Sequence, residues 1–354
     1  MVEGFLTVDT APDISVIVVN YNGRRFLDAC LTALAAQEGV RFEVVLVDNA
    51  SQDGSAAFVR ERYPWVRTIE LDENHGFAGG NNRGASEARG RLLAFLNNDT
   101  QAQPGWLSAL VTGLDAPDVA MATSRLLYMH NPAILDSAGD GMTRAGGAFK
   151  RGHGAPATQH TRRREVFAAC GAAFLIDHQV FEEAGRFDED FFLSHEDVDL
   201  SYRVRLLGYR CIYVPEAIVL HAGSATMGRT SKTSVYYGQR NLEWLYVKNT
   251  PGSLLLRTLP LHAVYLVAAC AYFTWAGRLP SFLSAKWSAF RALPRMWGKR
   301  RNIQRRRRIP PAQIWPLLEP GWVGLKIREK RFDLAAAADA VGPTPAGKAD
   351  GTKP

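Results

Sequence analysis

A chain of 354 residues with 47% hydrophobic and 22% charged residues is neither disordered nor fibrous, and it has room for one large α/β domain with an appendage. The net charge of +7 is local, because the stretch from Lys286 to Arg308 alone holds ten Lys/Arg and no acid, so the remainder is net acidic. Cys30, Cys170, Cys211 and Cys270 stand far apart with no CxxC pair, as buried thiols of a reducing compartment do, and Glu3 and Asp9 precede any apolar run, so no signal peptide is expected.

Ile14 to Val19 is a β-branched apolar run, which predicts a buried parallel strand. Asn20-Tyr21-Asn22-Gly23 turns into a helix that aligns Phe26, Leu27, Cys30, Leu31 and Leu34 on one face. Phe42 to Val47 predicts a second strand, ending on Asp48-Asn49-Ala50-Ser51. Gly54 and Ser55 open a second helix, and Val66 to Leu71 reads as a third strand. A Gly- and Asn-rich loop from Asn74 to Gly84 leads to a helix over 85–89. The strand Arg91 to Leu96 follows, closed by Asn97-Asn98-Asp99-Thr100. This rhythm predicts a doubly wound, mostly parallel sheet with ligands at the carboxyl ends of its strands. Asn20, Asp48, Asn74 to Asn82, and Asn97 to Asp99 all fall there.

Residues 120–165, rich in Gly, His and Arg, read as a partly open segment over that site. Ala168 to Ile176 predicts a buried strand of small residues, where a ligand approaches backbone closely. Within FDEDFFLSHEDVDLSYRVR (187–205), a helix ends at Gly208, and Ser194 is the expected N-cap with Asp197 three residues on. The helix's positive end then favours an ionised Glu196 or Asp197, suited to a general base, although plain capping explains the same acids. Cys211 to Val214 and Ala217 to Leu220 predict two further strands, the second ending on His221.

From Thr258 to Gly277 the chain is uncharged and nearly long enough to span a bilayer, but Pro260 and His262 weaken it as a span. Trp287, Phe290, Met296 and Trp297 alternate with basic residues, and Arg305 to Arg308 follow, as in an interfacial segment on an anionic membrane surface. This aromatic-basic mixture favours membrane over nucleic acid; a packed helical hairpin with a solvated basic edge is the plainer alternative. The expected organisation is an extension over 1–12, a catalytic domain over 13–250, a helical membrane-associating region over 251–334 and a disordered tail over 335–354. The expected location is cytoplasmic, at the inner face of the cell membrane.

No GxGxxG or GxxxxGK[ST] motif is present, which weakens dehydrogenase and kinase readings. Asn97-Asn98-Asp99 at a strand end suits a divalent cation, or a simple cap. Asp48 suits a base imide or ribose hydroxyl, and His221 a metal, each against a structural role of equal simplicity.

The motifs VIVVNYNG, VDNASQDGS, NHGFAGGNNRG, FLNNDT, GAAFLI, FFLSHEDVDLSYR and HAGS, in this order, resemble the inverting family 2 glycosyltransferases of A-type fold (GT-A), most of all their rhamnosyltransferase-like branch. The resemblance implies that Asp197 is the catalytic base with Glu196 in support. It implies that Asn20, Asp48, Gly79, Gly80, Asn81 and Asn98 bind the nucleotide sugar, and that Asp99 and His221 hold a divalent metal, Mg²⁺ or Mn²⁺. Asn97 stands where the family's first DxD acid stands. Implied partners are a dTDP- or UDP-sugar donor, with rhamnose favoured, and a saccharide or lipid-linked saccharide acceptor of the cell envelope. A sugar nucleotidyltransferase and a non-catalytic nucleotide-sugar-binding membrane protein are the alternative readings.

Overall fold

The computed structural model describes residues 12–223 and 231–341. The expected extension before position 12, Ser224 of the HAGS motif and the tail from 342 lie outside the described residues. The first half follows the expected rhythm: β1 (Ile14–Asn20), α1 (Arg24–Ala35), β2 (Phe42–Asp48), α2 (Ser55–Arg62), β3 (Arg67–Glu70), α3 (Gly76–Ser86) and β4 (Leu92–Asn97). The strands β3, β2, β1 and β4 lie side by side in parallel register, with Asn20 opposite Asp48 and Val19 opposite Asn97. That register brings the polar strand ends to one edge.

Helix α3 occupies the stretch expected to be a loop, and 85–89 is not a separate helix. Its glycines answer to packing rather than to a turn. A Cβ at Gly80 would stand 2.8 Å from Val19 Cγ1, and one at Gly84 would stand 2.5 Å from Ile17 Cγ2. Contact with β1 thus overrides the poor helix propensity of glycine. Gly84→Ala should gain about 1 kcal/mol of propensity yet destabilise by about 1–3 kcal/mol through overpacking. An unchanged urea midpoint would show instead that α3 can shift away from the sheet.

The second half contains β5 (Thr100–Ala102), α4 (Trp106–Thr112), β6 (Val119–Tyr128), β7 (Asn131–Ser137), β8 (Asp140–Met142), β9 (Ala148–Lys150), β10 (Arg164–Val166), β11 (Ala173–Asp177), α5 (His178–Ala184), α6 (Glu196–Leu206) and β12 (Arg210–His221). Residues 120–165 are therefore not an open segment. Strand β6 sits inside the sheet between β11 and β12, and the sheet turns mixed beyond β4 because β11 runs antiparallel to both neighbours. The two strands expected over 211–220 are the single strand β12, whose register shifts between Val214 and Ile218 around Pro215. A proline cannot donate to the ladder, so a bulge is the expected accommodation.

One core lies under α1 and α4, built on Val16, Val18, Val44, Leu46 and Trp106. The opposite face of the sheet packs Phe95, Phe174, Phe181 and Phe187 against α3, α5 and α6. A third core joins α6 to the C-terminal helices α7 (Lys232–Asn249), α8 (Gly252–Trp275), α9 (Leu279–Arg291), α10 (Leu293–Arg306), α11 (Pro311–Ile314) and α12 (Val323–Val341). Helix α12 continues past position 335, through part of the stretch expected to be disordered. Three of the four thiols are buried as expected, and Cys270 on α8 is half-buried.

Candidate active site

Asn20, Asp48 and Asn98 meet at the carboxyl edge of the sheet. The Asn20 amide donates to Asp48 Oδ1 (3.0 Å) and to Ser51 Oγ (3.1 Å), and Asn98 Nδ2 donates to Asn20 Oδ1 (2.7 Å). Asp48 also accepts from the Ser51 backbone N–H (3.0 Å). The three side chains thereby fix one another in place. Gly79, Gly80 and Asn81 are buried on α3, where Asn81 Nδ2 donates to the Phe77 carbonyl (2.9 Å).

Asp99, in the turn between β4 and β5, and His221, at the end of β12, come together with Asp99 Oδ1 3.4 Å from His221 Nε2. His221 Nδ1 faces Asp136 Oδ2 at 2.7 Å, and Lys150 Nζ holds the same carboxylate at 2.9 Å. Burial opposes a charge on the imidazole, but the hydrogen bonds of Asp136 and Asp99 override it and push His221 up to about 9. A proton therefore supplies positive charge where a divalent ion would. A carboxylate oxygen and an imidazole nitrogen, the latter oriented by a second carboxylate, form a donor set that fits such an ion.

Asp197 stands at the start of α6. Its N-cap is His195, not Ser194, and no side chain caps the helix. Phe192, Ser194 and His195 all have positive φ (62°, 70° and 70°), a run of sparsely populated conformations of the kind that concentrates at functional sites. Asp197 accepts from the Gly171 N–H (2.7 Å) and from the Val198 N–H (2.8 Å). A Cβ at Gly171 would stand 2.9 Å from Asp197 Oδ2. Hence the small residues of GAAFLI admit a carboxylate.

The expectation that the helix end alone keeps these acids ionised is corrected by burial. Burial lifts Asp197 above the usual carboxylate range, against the two backbone N–H groups and Lys150. Glu196 and Asp140 are lifted well above it by burial and by the charge of Asp197. One oxygen of Glu196 is buried without a hydrogen bond among the described residues. Asp197 has two backbone donors, which favour its charged form over that of its neighbours.

Sequence reasoning missed Asp136, Asp140, Lys150 and His153, which come from the segment taken as open. The spacing of Asp136 and Asp140 around Ser137 in an otherwise apolar stretch was the available signal, and it was weak.

Residues 15–185 match the family model for glycosyl transferase family 2. The O-antigen biosynthesis protein RfbC of Myxococcus xanthus is 31% identical over 61% of this chain, which spans only 18% of that relative. The N-acetylglucosaminyl-diphospho-decaprenol L-rhamnosyltransferase of Mycobacterium tuberculosis is 27% identical, over 69% of this chain and 91% of its own length. Among solved structures, the mannosyltransferase PcManGT from Pyrobaculum calidifontis, in complex with GDP-Man and Mn²⁺, superimposes with a TM-score of 0.50 at 20% identity, covering 94% of this chain and 88% of its own. That likeness is one of fold. The matched model, the ordered motifs and the relatives agree: residues 15–185, about half of the chain, resemble a glycosyl transferase family 2 domain.

Proposed function

We propose that the protein transfers a sugar, with rhamnose favoured, from a dTDP- or UDP-sugar to a hydroxyl of a cell-envelope saccharide, with inversion. The observation that carries this reading is one carboxylate at the start of α6, Asp197, held by the Gly171 and Val198 backbone N–H groups. Asp197 takes the proton of the acceptor hydroxyl as its oxygen bonds to the anomeric carbon. The bond from that carbon to the diphosphate oxygen breaks on the opposite side, so one displacement inverts the centre. Asp48, fixed by Asn20 and Ser51, is placed to accept from the base or ribose of the donor. A divalent ion, Mg²⁺ or Mn²⁺, held by Asp99 and His221, would supply positive charge beside the departing diphosphate. Release of nucleoside diphosphate from a panel of nucleotide sugars is expected to require the ion. It should stop with EDTA and fall by about 10²–10³ in Asp99→Asn, the scale of losing one charge-stabilising group. Release that ignores both EDTA and Asp99→Asn would remove the metal role.

A membrane-surface location is supported by the C-terminal helices. One described helix, α8, is long and apolar enough to cross a membrane, but His262 ties it to the body through the Ala145 carbonyl and Glu243. Its outer face leaves Leu256 and Val267 exposed, and α9 and α10 continue the exposed surface with Leu283, Trp287, Phe290 and Trp297. Lys286, Arg295, Lys299, Arg300 and Arg308 of the basic run bind groups within the protein, which leaves Arg291, Arg301 and Arg305 exposed beside the apolar face. An apolar cavity of about 640 Å³ between α7, α8 and α12 reaches His195, two residues from the base. This favours a lipid-linked acceptor on the inner face of the membrane. Trp287→Glu with Phe290→Glu should abolish co-sedimentation with anionic phospholipid vesicles while leaving the fold intact, since both rings are exposed. Undiminished sedimentation would place the protein off the membrane or on another face.

A further inference from the structure

A second cavity, of about 750 Å³, opens on the other side of α12 and is lined by none of Asn20, Asp48, Asn98, Asp99 or His221. Its inner wall is Asp140, which has an oxygen within 4.8 Å of one belonging to Asp197. Arg151 and Arg164 line it, as do Arg328 and Arg331 of α12. None of these four guanidinium groups has an acid partner among the described residues. Of the acids in the lining, Glu165 pairs with Arg205 (2.8 Å) and Glu329 with Lys326 (2.7 Å), while Glu319 accepts from the Gly321 N–H. Burial and the charge of Asp197 push the Asp140 carboxyl well above the usual range, which favours its neutral form. Arg151, half-buried, and the nearby His160 are each pushed down by desolvation and then by neighbouring arginines. The four arginines outnumber Glu319 and Asp140, the lining acids without an ion pair among the described residues, so the cavity carries an excess of positive charge. Clustered cations of this kind attract a multivalent anion.

We propose that this cavity binds an anionic group of the acceptor, a phosphate or diphosphate attached to its sugar, through Arg151, Arg164, Arg328 and Arg331. The inference rests on the transferase reading, which makes Asp197 the base. An acceptor anchored by its phosphate in this cavity has its sugar on the Asp140 side, next to that base, while the donor would bind at the carboxyl ends of β1, β2 and β4. The planar, multi-donor guanidinium suits a phosphate oxygen pair better than a neutral sugar. Two sources share this chemistry, a soluble sugar phosphate and the headgroup of a lipid-linked saccharide.

The test is equilibrium binding to the full chain in EDTA, so that no metal competes for the probes. Glucose 1-phosphate should bind and methyl glucoside should not. Arg331→Gln, on the surface of α12, and Arg164→Gln, also exposed, should each weaken glucose 1-phosphate by about tenfold, the scale of one charge-assisted hydrogen bond. Arg151→Gln should do the same, but it also loses a bond to the Ala138 carbonyl, so the two exposed variants decide. Geranyl diphosphate binding more tightly than inorganic pyrophosphate would assign the lipid headgroup; equal binding would assign the soluble source. Equal affinity for glucose 1-phosphate and methyl glucoside, or unaltered affinity in both exposed variants, would overturn the site. Donor turnover by the wild-type protein separates the two failures. Turnover without anion binding sinks this inference alone, and anion binding with no turnover from any donor sinks the transferase reading.

Discussion

Asp197→Asn is expected to lower kcat by about 10²–10⁴, the usual worth of a positioned general base, while donor binding survives. Glu196→Gln is expected to lose far less, because burial and the charge of Asp197 push the Glu196 carboxyl well above the usual range and so favour its neutral form. The contrast matters more than either value, since the two acids are adjacent and a single variant cannot assign the role. Asparagine also turns an N–H toward donors that now serve a carboxylate, at Gly171 and Val198. Some stability is lost with it, on the order of 1–3 kcal/mol for an unmet buried group. Activity should therefore be normalised to protein that still binds donor. Glu196→Gln losing more rate than Asp197→Asn would transfer the base role to Glu196.

The same arrangement sets a pH dependence. Asp197 is lifted above its ordinary range by burial, and a base works only when deprotonated. The rate should thus rise with pH through that lifted value, and the acid limb should vanish in Asp197→Asn. Stability moves the other way for this cluster. An acid whose folded-state pKa is raised contributes stability below its unfolded pKa and loses it as pH rises through the folded one. Glu196, Asp140 and Asp197 all have raised values, so ionising this cluster costs stability, as strained catalytic groups do elsewhere.

The first half of the sheet was legible because each strand is a short β-branched run closed by polar residues, and β1, β2 and β4 fell within a residue or two of their expected bounds. Asp99 beside His221 was legible only through motif order, as the two lie 122 positions apart and meet through the pairing of β5 with β12. What escaped was decided by tertiary contact. Helix α3 looked like a loop because glycines that pack against Val19 and Ile17 are indistinguishable in sequence from glycines that turn. Strand β6 was hidden because the segment around it is rich in Gly, His and Arg, while its own residues 119–128 are almost wholly buried. The pKa of Asp197 was misjudged for a related reason. A helix N-terminus can be read from sequence, but the burial that outweighs it depends on Gly171, Cys170 and Asp140 arriving from other elements.

Lys248→Met should destabilise the protein by about 3–5 kcal/mol, the cost of breaking a buried ion pair from one side. Lys248 is 1% exposed and its ammonium lies between Asp188 and Asp199, the latter at 2.8 Å, over the ring of Phe191. It thereby ties α7 both to the segment that precedes α6 and to α6 itself. Asp188 keeps Lys299, and Asp199 keeps Arg203 and Asn249, so the loss should fall near the lower end of that range. Asp188 sits well below the usual carboxylate range: burial raises it, but Lys248 and Lys299 lower it further. A depressed carboxylate contributes stability above its unfolded pKa that disappears as pH falls through the folded value, so the variant should also unfold at a higher pH in an acid titration. Both shifts are read from the same urea and acid melts followed by circular dichroism. A loss under about 1 kcal/mol would mean that Lys299 and Arg203 suffice for the two acids. A loss of the expected size, with kcat falling in the protein that remains folded, would mean that Lys248 also holds Phe192, Ser194 and His195 in their positive-φ conformations and so keeps Asp197 on the Gly171 N–H.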